Sequence, residues 1–207
     1  MNSKGYKEEL EKRIGSTAEG ITFVASDFSD IASVRTIREL LRRMIDEGTI
    51  VRVMPGIYMR PLMSELLGEQ VPADPEDVAY SIARVRNWTI APSGNTALNK
   101  LGLSTQVPVV WSYVSDGPYY ENTIYGRTIT FKHVANRNIT GMSQVTLLVI
   151  QALKALGKDR VDGTILKKIS ERLSDDDLKA IINETERSTV WIRDAIREIA
   201  AERNGAC

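Results

Sequence analysis

Apolar residues between Ser33 and Gly48 recur at the spacing of an α-helix. With a rotation of about 100° per residue they fall within one arc, and charged residues occupy the opposite side. Gly48 ends the helix, because glycine readily adopts the positive φ that a helix C-terminus often needs. The pattern predicts a helix with one packed face and one solvent-facing face; its apolar members are Val34, Ile37, Leu40, Leu41, Met44 and Ile45.

Other elements of a small domain surround this helix. Residues 7–14 predict a short polar helix, and a second helix is expected to open at Ser26, whose hydroxyl can cap it. After Gly48, segments 49–53 and 57–60 flank Met54-Pro55-Gly56, where Pro and Gly suit a type II turn. Three helices followed by a β-hairpin predict an N-terminal winged helix-turn-helix over residues 1–60.

The rest of the chain predicts a larger mixed α+β domain ending in helices, so the fold class is α+β. Three prolines between 61 and 75 indicate a linker, and Asp74-Pro75 begins a helix that runs to Arg86. Residues 76–207 then form the second domain. Its strands are predicted at 88–91, 109–115 and 123–131, with a turn at Gly126, and its later helices at 143–156, 162–173, 175–185 and 189–202, with Ser174 and Ser188 as caps.

Composition excludes several classes of protein. The 207 residues carry 27 Lys+Arg and 27 Asp+Glu, and this neutral balance argues against a protein that coats nucleic acid without selecting sites. One Cys and one His exclude an intrachain disulfide and Cys-rich zinc sites, so no metal or other cofactor is expected. The N-terminal residues lack the apolar core of a signal peptide. We therefore expect a cytoplasmic protein without membrane contact.

Charge is nevertheless uneven along the chain. Between Ser33 and Arg60 there are six arginines and three acids, and Arg suits phosphates and guanine edges. Arg35 is placed to reach a base edge or a phosphate, and Arg42 and Arg43 the DNA backbone. The wing would place Arg52 or Arg60 beside the adjacent phosphates or the minor groove. A solvated helix with Arg–Glu ion pairs, or a winged helix that binds protein, remains an alternative.

Other candidate groups have plainer interpretations. His133 has no identifiable nucleophile or acid beside it, and Cys207 ends a polar tail, so catalysis is not expected. Asp175-Asp176-Asp177 is better explained as the acidic first turn of a helix than as a metal site. Residues 92–96 are better explained as a capped helix start than as a phosphate loop. Trp88, Trp111 and Trp191 are expected to be core anchors.

The sequence resembles the AbiEi-like antitoxins of bacterial type IV toxin–antitoxin systems across residues 7–157. The most specific segment of this resemblance is Leu101-Gly102-Leu103-Ser104-Thr105-Gln106-Val107-Pro108. Further matching segments are Arg52-Val53-Met54-Pro55-Gly56-Ile57-Tyr58, Leu66-Leu67-Gly68-Glu69, Pro92-Ser93-Gly94 and Asp116-Gly117-Pro118. Members of that family are DNA-binding autorepressors whose second domain counteracts a nucleotidyltransferase-like toxin.

The resemblance implies partners and a surface, but no catalytic residues. Its partners would be the operator of its own operon, bound as a double-stranded DNA site by a homodimer, and a nucleotidyltransferase-like toxin. A non-catalytic adaptor and an enzyme are the competing classes. The resemblance implies that DNA is contacted by Ser33, Arg35, Thr36, Arg38, Arg42, Arg43, Arg52 and Arg60. Glu39, in the middle of the same exposed helix face, departs from this basic pattern.

Overall fold

The computed structural model describes residues 3–186 and 188–204. The protein is of the α+β class and divides into two compact units between Trp88 and Thr89. The first unit contains, in chain order, α1 (Ser3–Gly15), β1 (Thr22–Val24), a 3₁₀ turn (Ala25–Phe28), α2 (Val34–Asp46), β2 (Val51–Met54), β3 (Ile57–Met59) and α3 (Pro75–Arg86).

The predicted amphipathic helix is confirmed as α2. The side chains of Ile37, Leu40, Leu41 and Met44 are buried, and the Ser33 hydroxyl accepts the backbone N–H of Thr36 at the N-terminus. Gly48 follows with φ +75°. The predicted hairpin is also present, because β2 and β3 pair antiparallel across a turn in which Gly56 has φ +85°.

Two features around β1 differ from the sequence-based predictions. The three-residue strand β1 pairs antiparallel with β3, giving a sheet in the order β1-β3-β2. The second helix is only a 3₁₀ turn, and Ser26 does not cap it, since Asp27 Oδ2 accepts the backbone N–H of Val24 at 2.9 Å. A carboxylate that reaches back to the preceding strand thus takes the place of the expected hydroxyl cap.

Helix α3 begins and ends as predicted, but it belongs to the first unit. Asp74 Oδ1 caps it, and Asn87 ends it in the left-handed region at φ +55°. Asp77 Oδ2 accepts the backbone N–H of Thr22 at 2.6 Å, and the hydroxyls of Ser81 and Thr22 are 2.6 Å apart. The first unit therefore extends to Trp88, whereas the prolines had indicated a domain boundary within residues 61–75.

The stretch between β3 and α3 is an ordered turn within the first unit. The backbone N–H of Ser64 donates to Glu69 O, and that of Val71 donates to Leu62 O at 2.7 Å. Met63 and Gln70 form an isolated β-bridge. Prolines end regular structure here, but they do not end the contacts that hold residues 61–74 in the unit.

The second unit combines a four-stranded sheet with a helical layer. The sheet has the order β4-β5-β7-β6, in which β5 and β7 are parallel and the other neighbours are antiparallel. Ala91, Val114 and Leu147 join one face of the sheet to α5. The unit comprises β4 (Ile90–Pro92), α4 (Gly94–Lys100), β5 (Val110–Ser115), β6 (Tyr120–Ile124), β7 (Arg127–His133), a 3₁₀ turn (Asn136–Asn138), α5 (Gln144–Leu156), a 3₁₀ turn (Lys158–Arg160), α6 (Gly163–Ser170), α7 (Asp175–Glu184) and α8 (Val190–Asn204).

The segment after α4 packs closely against Arg172 at Gly102. Gly102 has φ +65°, and a Cβ atom added there would lie 2.5 Å from Arg172 Nη2. The side-chain amide of Asn99 donates to the carbonyl oxygens of Ser104 and Gln106 at 3.3 and 3.0 Å. A helix end followed by a turn explains part of the Leu101–Pro108 string without assigning it a functional role.

Glu184, at the end of α7, is bonded to the N-terminus of α5. Its Oε2 accepts the backbone N–H and the hydroxyl of Ser143, each at 2.8 Å. Burial raises the pKa of Glu184, but hydrogen bonds involving Thr146 and Ser143 outweigh burial and hold the pKa below its ordinary 4.5. A carboxylate with a lowered pKa in the folded state contributes stability above its unfolded-state pKa, and this contribution is lost as the pH falls through the folded pKa.

We therefore expect Glu184→Gln to destabilise the protein by about 1 kcal/mol at pH 7, because a neutral amide accepts these hydrogen bonds more weakly. The difference between the two proteins should shrink as the pH falls below about 4.5. Thermal unfolding between pH 7 and pH 3 measures it, with the exposed Glu171→Gln as the control. A difference that is constant over this pH range would contradict the assignment.

Candidate nucleic-acid interface

The orientation of α2 is fixed by the core of the first unit. Its buried residues pack with Leu10 of α1 and with an aromatic group in which the rings of Phe23 and Phe28 meet edge to face at 5.7 Å. Phe23 also stacks on Tyr58 of β3 at 6.2 Å. Since one face of α2 is held by this core, the opposite face points to solvent.

The predicted DNA contacts Ser33 and Thr36 form the N-terminal cap of α2. The Ser33 Oγ accepts the Thr36 backbone N–H at 3.3 Å, and the two hydroxyl oxygens are 2.9 Å apart. The first turn carries no acidic residue. Because the N-terminus of a helix bears a partial positive charge, this end is electrostatically suited to a phosphate.

The exposed face of α2 has a basic half and a mixed half. At about 100° per residue, Arg35, Arg38 and Arg42 lie within roughly 60° of one another. Glu39, Arg43 and Asp46 lie on the neighbouring side of the same face. Arg35 borders that side, about 20° from Asp46, so sequence spacing separates only Arg38 clearly, by about 80° or more, from the two acids that precede Glu47.

Most of these arginines have no partner in the structure. Arg35 lies 3.6 Å from Glu39, and its side chain is 91% exposed, which makes this a weak, solvent-screened pair. Among the described residues from 33 to 60, four exposed arginines make no hydrogen bond or ion pair: Arg38, Arg42, Arg43 and Arg52. The first three extend from α2 and the last from β2, so the unpaired positive groups come from the helix and the following hairpin.

Neighbouring acids are neutralised by α1 rather than by these arginines. Lys7 Nζ lies 2.6 Å from Glu47, and Arg13 Nη1 lies 2.9 Å from Asp30. The hydrogen bond to Glu47 raises the pKa of Lys7. Of the described acids between residues 33 and 60, only Asp46 has no partner, so four unpaired guanidinium groups stand against one unpaired carboxylate.

Arg60 differs from the other predicted contacts. Its Nη1 donates to the carbonyl oxygens of Gly15 and Thr17 at 3.1 and 2.6 Å, and its Nη2 lies 3.2 Å from Glu19. The guanidinium group ties the end of α1 to the residue after β3. Arg60 is therefore a structural residue in this arrangement, and its donors are largely used within the unit.

The other residues considered as candidate sites make local contacts within the second unit or lie outside the described residues. His133 is exposed, and its Nδ1 donates to Gly117 O at 2.9 Å. Asp175–Asp177 form the first turn of α7 as predicted, and hydrogen bonds from Ser174 hold the pKa of Asp177 below its usual value. Helix α4 starts after Ser93, but the Ser93 side chain makes no capping hydrogen bond. Cys207 lies outside the described residues.

Trp88, Trp111 and Trp191 are half-buried, so they are less enclosed than core anchors. In the part of the chain that the structure describes, no cluster of three or more His, Cys, Asp or Glu side chains is arranged to hold a metal ion. Among the same residues, no helix is long and apolar enough to cross a membrane.

The fold and the surface define an α+β protein of two units, with unpaired arginines on one helix and the hairpin that follows it. The chain belongs to DUF6088, a family of unknown function, whose model matches residues 9–181. The match includes α2, the hairpin and most of the second unit. A search of curated proteins finds no match to the chain.

Proposed function

We propose that the protein is a DNA-binding transcriptional regulator whose first unit is a winged helix-turn-helix. In this proposal α2 is the recognition helix and the β2–β3 hairpin is the wing. The order helix, strand, helical turn, helix, hairpin supports it, as does the small antiparallel sheet β1-β3-β2.

The observation that carries the proposal is the group of unpaired arginines, Arg38, Arg42, Arg43 and Arg52. Arginine is always charged and donates to phosphates and guanine edges in a planar fork. Helix α2 has 13 residues and is therefore about 20 Å long, enough to lie in the major groove of B-DNA. Arg35 can also contact DNA, because a phosphate can replace Glu39 as the partner of its exposed guanidinium group.

We extend the proposal to an antitoxin and autorepressor, on the strength of the resemblance to AbiEi-like antitoxins. In this role the protein binds the operator of its own operon as a dimer, and its second unit counteracts a nucleotidyltransferase-like toxin in the cytoplasm. It acts without catalysis or a cofactor. The protein counteracts the toxin either by binding it directly or by opposing its effect without contact.

The mixed half of α2 favours a second candidate function. Glu39 and Asp46 would face DNA phosphates unfavourably if that half turned toward the duplex, whereas a protein partner can pair with both signs of charge. In this alternative the first unit is a protein-binding winged helix and the whole chain is a non-catalytic adaptor.

Binding to DNA at several salt concentrations separates these two functions. The full chain is titrated into a labelled duplex from the region upstream of its gene and into a scrambled duplex, with fluorescence anisotropy as the readout. We expect the upstream duplex to bind more tightly, and log K to fall against log salt with a slope of about −4, since four arginines displace counterions. Undetectable binding to both duplexes at low salt would support the adaptor instead.

The antitoxin role needs a separate assay. Growth is measured in cells that express a nucleotidyltransferase-like protein encoded beside the gene for this chain, with and without the full chain. Rescue is expected from the full chain. Absence of rescue, with the protein folded and bound to its operator, would leave a repressor and exclude the antitoxin role.

A further inference from the structure

A cavity of about 500 Å³ opens in the second unit beside the first turns of α8. Leu166, Val161 and Ala195 supply apolar lining, and the ring of Trp191 forms part of the wall. Leu166 and Ala195 are buried, and Trp191 packs against the helical core of the unit. The volume lies within the range of small-molecule sites, about 300 to 1,000 Å³.

One face of α8 places an aromatic ring and two carboxylates along this cavity. Trp191, Asp194, Ala195 and Glu198 follow one another at the spacing i, i+3, i+4 and i+7, and all four line it. The lining contributed by α8 therefore combines an aromatic ring with two carboxylates.

The polar groups of the cavity are available to a ligand. Within residues 3–186 and 188–204, Glu198 makes no ion pair or hydrogen bond, and neither does the indole N–H of Trp191. Asp194 lies 3.8 Å from Arg197 Nη1, at the outer limit of an ion pair, and its side chain is 54% exposed. Lys158, which also lines the cavity, is the one cation among its lining residues.

The wall opposite α8 is held in place by its own hydrogen bonds. Arg160 Nε donates to Leu156 O at 2.6 Å, and Nη2 donates to Ala155 O at 3.2 Å, which anchors the 3₁₀ turn to the end of α5. Asp162 Oδ1 accepts the backbone N–H of Ile165 at 2.9 Å and caps α6. These hydrogen bonds fix the backbone of the 3₁₀ turn and the start of α6, the segments that carry Lys158, Val161 and Leu166 of the cavity lining.

We propose that this cavity binds a compact organic cation with an apolar body, such as an arylalkyl amine. The apolar body would lie against Val161, Leu166 and Ala195. The cationic group would be attracted by the carboxylates of Asp194 and Glu198 and by the face of Trp191, because an aromatic ring attracts a cation through its quadrupole. The two carboxylates outnumber Lys158 in the lining. Arg197 offsets Asp194 only through an exposed pair at 3.8 Å, so a cation is favoured over an anion of the same shape. This binding does not depend on the DNA-binding function.

The test compares two probes of similar size and opposite charge. Phenethylamine and 3-phenylpropionate are titrated into the full chain by calorimetry at low salt. We expect the amine to bind about tenfold more tightly, and Glu198→Gln to weaken amine binding by about fivefold, since a charge pair near a surface contributes roughly 1 kcal/mol. Lys158→Met should strengthen amine binding, because it removes a like charge.

Asp176→Asn is the matched control, because it removes an exposed carboxylate of the same unit that does not line the cavity. It should leave the affinity for phenethylamine unchanged. The indole N–H signal of Trp191 in NMR spectra, assigned with Trp191→Phe, should shift with the amine at the same dissociation constant. Equal affinity for the two probes, or equal losses in Glu198→Gln and Asp176→Asn, would overturn the proposal.

Discussion

Replacing Arg38, Arg42 and Arg52 together by alanine should weaken binding of the full chain to its operator by about 100-fold at moderate salt. Each guanidinium group that contacts a phosphate or a base contributes on the order of 1 kcal/mol, and the three together therefore contribute about 3 kcal/mol. The slope of log K against log salt should become less steep by about 3, because three fewer counterions are released.

These three residues are chosen because the structure leaves their side chains free to bind. Arg35 must first release Glu39, 3.6 Å away, and Arg60 is held by two backbone carbonyls and Glu19. Removing Arg60 would disturb the fold as well as the surface. The exposed side chains of Arg38, Arg42 and Arg52 make no such contacts among the described residues, so their loss should leave the thermal stability nearly unchanged.

A matched control removes the same amount of charge from the second unit. Arg127, Lys132 and Lys154 are exposed on β7 and α5, and their triple alanine variant also loses three positive charges. It should reduce DNA affinity only slightly, through the smaller overall charge. Equal losses in the two triple variants, or unchanged binding in the first with its circular dichroism intact, would show that α2 and the hairpin are not the DNA surface.

The elements that could be predicted from sequence are those whose signals are local. Helix α2 has a long amphipathic pattern together with Ser33 and Gly48 at its ends, and α3 has Asp74 and Pro75 at its start. The turn at Gly126 was likewise predicted, and in the structure both Tyr125 and Gly126 adopt positive φ there. In each case neighbours within four residues supply the hydrogen bonds.

Features that depend on distant contacts could not be predicted in this way. Strand β1 has only three residues and owes its conformation to β3, more than thirty positions further along the chain. The parallel pairing of β5 and β7 cannot be deduced from the order of polar and apolar residues within either strand. The extent of the first unit depends on Thr22 and Asp77, which are 55 residues apart.

The candidate surface shows the same division. The sequence identifies a helix rich in arginine and predicts which side of it faces solvent. It does not show that Glu47 is bound by Lys7, 40 residues away, or that Arg60 is bound by Gly15 and Thr17. Which arginines remain unpaired is therefore a property of the folded unit, and it reduces eight predicted contacts to a smaller testable group.

A fragment of residues 1–88 should unfold cooperatively and at a clearly higher temperature than a fragment of residues 1–60. The shorter fragment ends before α3 and loses the hydrogen bonds from Thr22 to Asp77 and Ser81, together with the pair of Arg84 and Asp27 at 3.3 Å. It also loses the apolar face of α3, whose buried side chains include Val78 and Ile82. Circular dichroism during heating of both fragments measures the difference.

The expected effect is large relative to the stability of a small domain. Three polar interactions at about 1 kcal/mol each amount to about 3 kcal/mol, before any loss of apolar contact, against a typical total of about 5 to 15 kcal/mol. The shorter fragment should therefore be mostly unfolded near 37 °C.

Point variants of the full chain test the same contact without truncation. Asp77→Ala should lower the stability of the first unit by about 1 to 3 kcal/mol, because it leaves the Thr22 N–H without its acceptor at a buried residue. Glu65→Ala, in the exposed turn between β3 and α3, is the control and should have little effect. If the two fragments melt together and Asp77→Ala matches Glu65→Ala, α3 is not part of the folding unit that carries α2, and residues 1–60 are sufficient to present the arginine surface.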